Sequence, residues 1–321
     1  MSFEATRNEL IRRIKVLSER LWEGHCKSPD IEAWLANFTG RYCGNTQIEQ
    51  LHALHLLAST SYFGLRELRV LLRAMFRDLF RYPLIQRLRA ELGGTRDADE
   101  LQRRFEMELT CTRFLGMGSP AESGTHLLYY FRQENRLRRE LFVNQHELLT
   151  SAATDPSVQL VDPTLKRLVF IDDLCGSGEQ AERYSRTLLR TIREIASRTG
   201  QDVEFHYLVL FGIEAGLERA RNESDFTVVS AVSKLDSTDQ TFGAKSRVYR
   251  KPPPMIDPNL AEQLAVGYGA ELWPRWPLGF DNGQLLLAFH HNVPDNSLPI
   301  LWFDEGAPPW RPAFPRYPKI G

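Results

Sequence analysis

Residues 168–178, Leu-Val-Phe-Ile-Asp-Asp-Leu-Cys-Gly-Ser-Gly, run from an apolar stretch onto two adjacent carboxylates and then onto a glycine-serine-glycine turn. Leu168, Val169, Phe170 and Ile171 are the short unbroken apolar run expected of a strand buried on both faces of a parallel sheet. Asp172 and Asp173 then fall at the carboxyl end of that strand, where open α/β sheets bind ligands. Gly176, Ser177 and Gly178 lead into Glu179 and Gln180 and a helix-like continuation to Leu189. Such a turn aims backbone N–H groups and the positive end of a helix dipole at an anion. The two carboxylates would repel a phosphate but accept hydrogen bonds from two neighbouring hydroxyls. A ribose 5-phosphate meets both requirements.

Other glycine-rich turns fit less well. No G-x-x-x-x-G-K-[ST] occurs, which excludes a P-loop. Gly176, Gly178 and Ala181 match a G-x-G-x-x-A dinucleotide pattern, but that fingerprint follows its strand directly, and paired carboxylates would repel the pyrophosphate. The first loop of S-adenosylmethionine-dependent methyltransferases, often Asp-Leu-Gly-Cys-Gly-Ser-Gly, is a closer competitor. Here Leu174 replaces the first glycine of that turn, and the motif does not sit on an obvious first strand.

The remaining composition narrows the class. With 321 residues, 42% of them hydrophobic, the chain can bury a substantial core. Forty basic against 41 acidic residues give a net charge of -1, so no global field recruits nucleic acid or an anionic membrane. Cys26, Cys43, Cys111 and Cys175 form no C-x-x-C pair, as expected of reduced thiols in a cytoplasmic protein. His25, Cys26 and Cys43 lack the spacing of a tetrahedral metal site. The first ten residues include early acids and no apolar h-region, so no secretory signal is expected, and no run of about 18 apolar residues predicts a membrane span.

Along the chain, the aliphatic spacing predicts an all-α region over residues 1–110, with Leu10, Ile14, Leu17 and Leu21 on one face and a second series from Leu51 to Leu79. Residues 111–250 alternate strand and helix. Strands are expected at Cys111–Met117, Leu141–Leu149, Leu168–Ile171, Val203–Phe211 and Phe226–Val232, and helices at Thr125–Arg139 and Ala215–Arg221. This alternation predicts an α/β core built on a parallel sheet. Residues 251–321 open with Pro252, Pro253, Pro254 and Pro258 and are rich in tryptophan, which fits a small C-terminal cap or hood over the core. Regular structure is expected there at Pro258–Val266 and Gln284–His290.

The Asp-Asp loop resembles the phosphoribosyl-pyrophosphate loop of the phosphoribosyltransferase superfamily: an apolar strand, two acids, a few residues, then Thr/Ser-Gly. That resemblance implies that Asp172 and Asp173 meet the ribose 2- and 3-hydroxyls and Mg²⁺, while Cys175, Gly176, Ser177, Gly178, Glu179 and Gln180 wrap the 5-phosphate. The family often ends this loop with threonine or serine, and Gln180 stands there instead. A pyrophosphate loop follows the superfamily's first strand, a position held here by residues 118–124, with Ser119, Glu122, Ser123 and Gly124 as its candidates. Arg132, Asn135 and Arg136 follow on the next helix, where Arg132 could reach an anion.

Four segments in order make a more particular resemblance. They are Trp34-Leu35-x-Asn37-Phe38; Ser123-Gly124-x-His126 through Arg132 with Asn135; the Asp-Asp-Leu-Cys-Gly-Ser-Gly loop; and His290-His291-Asn292-Val293-Pro294-Asp295-Asn296-Ser297-Leu298-Pro299. Together they are similar to the phosphoribosyltransferase-like domain family associated with bacterial conflict and antiviral defence, including retron-associated effectors encoded beside reverse transcriptases. The family implies a phosphoribosyltransferase-like fold and, as partners, a defence-system protein or ribonucleoprotein. Adjacent histidines on a strand point to opposite faces, so one of His290 and His291 would face a site, with His291 a candidate general base. The expected function is an enzyme handling the phosphoribosyl group of phosphoribosyl pyrophosphate or a nucleotide. An inactive nucleotide sensor or regulatory subunit, or a methyltransferase, is the alternative, and residues 1–110 offer a surface for homo-oligomer formation.

Overall fold

The apolar run before the two acids extends into a nine-residue strand, Arg167–Cys175, every residue of which is buried. The structure is a computed structural model and describes residues 2–118, 123–151, 158–304 and 309–316. In chain order its helices and strands are α1 (Phe3–Arg20), α2 (Ser28–Leu35), α3 (Thr46–Ala58), β1 (Ser61–Phe63), α4 (Leu65–Ala74), α5 (Tyr82–Glu91), α6 (Ala98–Thr110), β2 (Thr112–Gly116), α7 (Ser123–Glu134), β3 (Arg167–Cys175), α8 (Glu179–Tyr184), α9 (Arg190–Arg198), β4 (Glu204–Ile213), α10 (Glu214–Glu223), β5 (Val228–Leu235), α11 (Pro258–Leu272), β6 (Leu287–Phe289) and α12 (Pro299–Trp302). π-Helical turns continue α4 into α5 at Met75–Arg81 and α8 into α9 at Ser185–Leu189.

The chain forms two compact units, one of Leu68–Leu235 and one of Met1–Glu67 with Asp236–Gly321. The first is an α/β unit around a four-stranded parallel sheet of order β2-β3-β4-β5, in register Phe114 opposite Val169, Phe170 opposite Tyr207 and Leu208 opposite Ser230. Parallel neighbours need crossover connections, and α7, α8–α9 and α10 supply them. Leu168, Phe170, Phe205 and Tyr207 share a buried cluster with Ile192 and Ile195 of α9 and Leu217 of α10. Val169 and Ile171, which alternate with them, are equally buried, so β3 is covered on both faces. Phe114 of β2 packs among Phe76, Phe80, Phe131 and Phe142.

The second unit is largely helical. Trp22, Trp34, Phe38, Leu54, Tyr268 and Trp302 fill its core, and β1 pairs with β6 from Ser61 opposite Leu287 to Phe63 opposite Phe289. The Trp34 indole donates to the Ile300 carbonyl at 2.7 Å, and Trp310 donates to the same oxygen at 3.0 Å.

Three details depart from the sequence reading. In place of a strand at 141–149 there are two 3-10 turns, Arg139–Leu141 and Gln145–Glu147, and two isolated bridges, from Phe142 to Phe114 and from Leu149 to Leu160. The Glu147 carboxylate accepts from the Asn144 N–H at 2.7 Å, a local bond that competes with a ladder. The helix expected to reach Arg139 stops at Glu134, because Arg136 turns to φ +52°. Where three consecutive parts were expected, residues 68–110 join the sheet unit and residues 1–67 share a core with 236–321.

Candidate functional site

Asp172 and Asp173 lie in the last four residues of β3, which runs on through Leu174 to Cys175, and are 3% and 6% exposed. As successive strand residues they address opposite faces of the sheet. Asp172 Oδ2 accepts from the Tyr207 hydroxyl of β4 at 3.3 Å, and its Oδ1 accepts from the Asp173 N–H at 3.0 Å. Asp173 Oδ1 accepts from the Leu174 N–H at 2.7 Å. Burial, reinforced by the charge of Asp172, holds the Tyr207 phenol well above its ordinary range, so it stays a proton donor to that carboxylate. Burial also pushes the Cys175 thiol up to about 12, with Asp172 adding to the effect. Cys175 lies in the apolar cluster beneath the loop, so it contributes backbone there and no thiolate.

The turn after the strand is shaped by glycine. Gly178 has φ +77° and caps α8, and a Cβ on it would stand 2.5 Å from the Gly216 carbonyl oxygen of α10. Ser177 Oγ accepts from the Glu179 N–H at 3.3 Å, folding the turn into the helix start. Glu179 is exposed and Gln180 half-buried in the first turn of α8. One turn on, Glu182 is 7% exposed and pairs with Arg219 of α10 at 2.6 Å and with Arg186, which ties α8 to α10. Gly176, Ser177, Gly178 and the two acids therefore rest on a fixed floor.

A second element reaches the same strand ends. A Cβ on Gly124, in the first turn of α7, would stand 2.6 Å from the Met117 carbonyl oxygen and 2.7 Å from that of Ile171. Met117 N donates to Ile171 O at 2.9 Å, so Gly124 lies against the ends of β2 and β3 beside Asp172. Ser123 opens α7, while Ser119 and Glu122 lie outside the described residues. Arg132 sits nine residues further on, about 13 Å along the helix axis, in a groove lined by Leu128, Tyr129, Arg139 and Phe142. His291 belongs to the other unit, where its ring stacks on Phe289 at a centroid distance of 5.7 Å.

Asp172, Asp173, Cys175 through Gln180 and Gly124 are thus brought together at one edge of the sheet. Tyr207, Gly216 and the Glu182–Arg219 pair complete the surroundings, and sequence reasoning missed all of them. Tyr207 reads as one more apolar position of a buried strand, and Gly216 carries no local turn signal.

Comparison with known proteins adds the following. No curated protein matches the chain. Among solved structures, orotate phosphoribosyltransferase from Aeropyrum pernix aligns at 17% identity over 39% of this chain and 59% of its own, with a TM-score of 0.21. The chain therefore spans about three fifths of that enzyme's length. Xanthine-guanine-hypoxanthine phosphoribosyltransferase from Helicobacter pylori aligns at 10% identity over 55% of this chain and 88% of its own, with a TM-score of 0.27. Adenine phosphoribosyl transferase from Trypanosoma brucei, solved with AMP, pyrophosphate and ribose-5-phosphate, aligns at 14% identity over 54% and 80%, with a TM-score of 0.23. The PRTase-CE family model matches residues 31–316, a span that takes in the Asp-Asp loop, the parallel sheet and most of the helical unit, and the chain belongs to that phosphoribosyltransferase-like family.

Proposed function

We propose that the chain binds a ribose 5-phosphate ligand, phosphoribosyl pyrophosphate or a nucleotide, at the carboxyl end of β3 and acts on its phosphoribosyl group. The observation that carries this reading is the pair Asp172 and Asp173 in the last four residues of a central parallel strand, followed after Leu174 to Ser177 by the left-handed Gly178 turn that opens α8. The acids offer acceptors to the ribose hydroxyls. The turn offers N–H groups and the Ser177 hydroxyl to the 5-phosphate. Residues 118–124, of which Gly124 sits at the same edge, would receive a pyrophosphate.

The chemistry would be displacement at the anomeric carbon. The bond from that carbon to the pyrophosphate oxygen breaks, its electron pair leaves with pyrophosphate, and an acceptor lone pair forms the new bond. Charge builds on the sugar ring and the leaving group, so rate enhancement comes from positioning and charge stabilisation. Tyr207 orients Asp172 by donating to it, and the Glu182–Arg219 pair keeps the loop in place. Two hard carboxylate oxygens suit Mg²⁺, which usually combines one or two carboxylates with phosphate oxygens of its substrate. Because the two acids address opposite faces of β3, one carboxylate of the pair would hold it together with phosphate oxygens of the substrate, and it would neutralise charge on the pyrophosphate.

A second reading, a nucleotide sensor that binds without turnover, is favoured by Gln180, an amide standing where the superfamily places a phosphate-binding hydroxyl. The family resemblance supports a setting in bacterial antiviral defence for either reading, with a protein or ribonucleoprotein partner.

Calorimetric titration of phosphoribosyl pyrophosphate with Mg²⁺ tests the site. Binding with a dissociation constant on the order of micromolar, abolished in an Asp172→Asn/Asp173→Asn variant with an unchanged melting curve, is the expected result. Absence of binding to the unmodified chain overturns the assignment. Binding without pyrophosphate release for any acceptor base identifies the sensor.

A further inference from the structure

The helical unit carries a second cluster of chemically capable side chains, assembled from distant parts of the chain. The turn after α1 is left-handed at Glu23 (φ +54°), Gly24 (φ +80°) and Cys26 (φ +59°). That conformation is costly for residues with a side chain, and such strain concentrates where side chains must be aimed. Here it points Glu23 and His25 toward the end of β6. Glu23 Oε1 accepts from the Leu65 N–H at 2.8 Å, and Glu23 Oε2 meets His290 Nδ1 at 2.7 Å. One ligand atom from each of Glu23, His25 and His290 lies within 4.8 Å of the others, and all three residues are exposed.

Two further observations concern the polar groups around this cluster. A Cβ on Gly64 would stand 2.8 Å from Glu23 Oε1 and 2.9 Å from Glu67 Oε2, so two carboxylates crowd one glycine. The Tyr62 side chain, 9% exposed, brings its ring within 5.6 Å of that of His25, yet its hydroxyl is buried with no hydrogen-bond partner among the described residues. Burial, then the charges of Glu23 and Glu67, push that phenol upward. An unsatisfied hydroxyl under the charges of Glu23 and Glu67, on a ring packed near His25, is an unusual arrangement for a surface with a merely structural role.

We propose that Glu23, His25 and His290 bind one divalent transition-metal ion of the Zn²⁺ class. Two imidazoles and a carboxylate are a borderline donor set, suited to Zn²⁺ or Co²⁺ rather than to Mg²⁺. Ligand atoms around tetrahedral Zn²⁺ stand roughly 3.3 Å apart, a closure that exposed side chains reach by small rotamer changes. Binding replaces the hydrogen bond between His290 and Glu23, ties the α1 turn to the end of β6, and leaves a fourth position for water or a bound anion. This site is independent of the ribose-phosphate reading.

The test uses the full, tag-free chain stripped of metal and titrated with Co²⁺, followed by visible absorption, and with Zn²⁺, followed by calorimetry. One equivalent of Co²⁺ giving ligand-field bands, displaced by Zn²⁺, is expected. His25→Gln and His290→Gln should each weaken Zn²⁺ binding at least about tenfold, while His146→Gln, at an exposed site in the sheet unit, leaves it unchanged. Melting curves report whether each variant folds, and Glu23→Gln, which keeps an acceptor for the Leu65 N–H, carries the same test if one does not. No saturable Co²⁺ or Zn²⁺ binding, or binding equal in the chain and all three site variants, overturns the proposal and leaves a hydrogen-bonded Glu23–His290 pair.

Discussion

The carbonyl oxygen of Gly176 lies 1.8 Å from where a Cβ on Gly216 would sit. The glycine-serine-glycine loop and the first turn of α10 are therefore in backbone contact, and the candidate phosphate loop has no room to retreat from its floor.

Gly216→Ala should displace the loop, because the atom it would strike is backbone and cannot rotate away. A loss of about 1–3 kcal/mol in denaturant unfolding is expected, together with weaker phosphoribosyl pyrophosphate binding. Unchanged stability and affinity would show that α10 moves freely of the loop.

Tyr207→Phe removes the hydroxyl that donates to Asp172 at 3.3 Å inside the sheet. It should cost about 1–2 kcal/mol, since Asp172 loses a buried hydrogen bond while the ring keeps its packing. Ligand affinity should fall with it. Urea unfolding and titration of the same variant separate the two effects.

Thiol labelling should divide the cysteines by burial. Cys26 and Cys175 are buried, and burial pushes each thiol up to about 12, Asp30 adding to the first and Asp172 to the second. Cys43 and Cys111 are half-exposed. Mass spectrometry after iodoacetamide at pH 8 should find Cys43 and Cys111 modified first and the other two only after unfolding. Cys175 labelled as fast as Cys43 would contradict the burial of the loop.

Stability should fall on the acid side through Glu204. Its carboxyl is lowered to about 2, chiefly by the hydrogen bond from His206 and then by Arg87 and Arg167, against an ordinary value of 4.5. The folded state thus favours the charged form, so this contribution is complete above about pH 4.5 and disappears as pH falls toward 2. For a side chain 29% exposed, solvent screening reduces it to about 1–2 kcal/mol. Glu204→Gln should flatten that limb of the stability profile, and an unaltered acid limb would refute the assignment.

Trp34 makes the helical unit sensitive to one residue. It is fully buried, and its indole N–H serves the Ile300 carbonyl across 266 residues of chain. Trp34→Ala should cost about 3–5 kcal/mol, and Trp34→Phe less, as thermal or denaturant melts would record. The segment Trp34-Leu35-x-Asn37-Phe38 therefore acts through packing: Asn37 donates to the Arg311 carbonyl at 2.9 Å, and Phe38 lies edge-on to Tyr268.

Much of the candidate site could be read in advance because its signals are local. Four apolar residues predict a buried strand, two acids fall in its last four residues, and a glycine that tolerates φ +77° predicts the turn. Residues 141–149 misled for an equally local reason, since a side-chain cap at Asn144 and Glu147 outweighed strand propensity. His25 lacked metal spacing in sequence because its partner His290 is 265 positions away and meets Glu23 only when β6 pairs with β1.

The sequence by itself determined the α/β alternation, the Asp-Asp loop and the absence of a P-loop, because hydrophobic period and glycine chemistry act over a few residues. Only the tertiary structure decided which chain segments share a core. Residues 1–67 and 236–321 bury their aliphatic and aromatic faces in one cluster, although nearly 170 residues separate them. Apolar burial is non-directional and leaves no address in the sequence for the surface that will cover it. The same holds for Tyr207 under Asp172 and for Gly216 under the loop, whose roles exist only once β4 and α10 lie against β3.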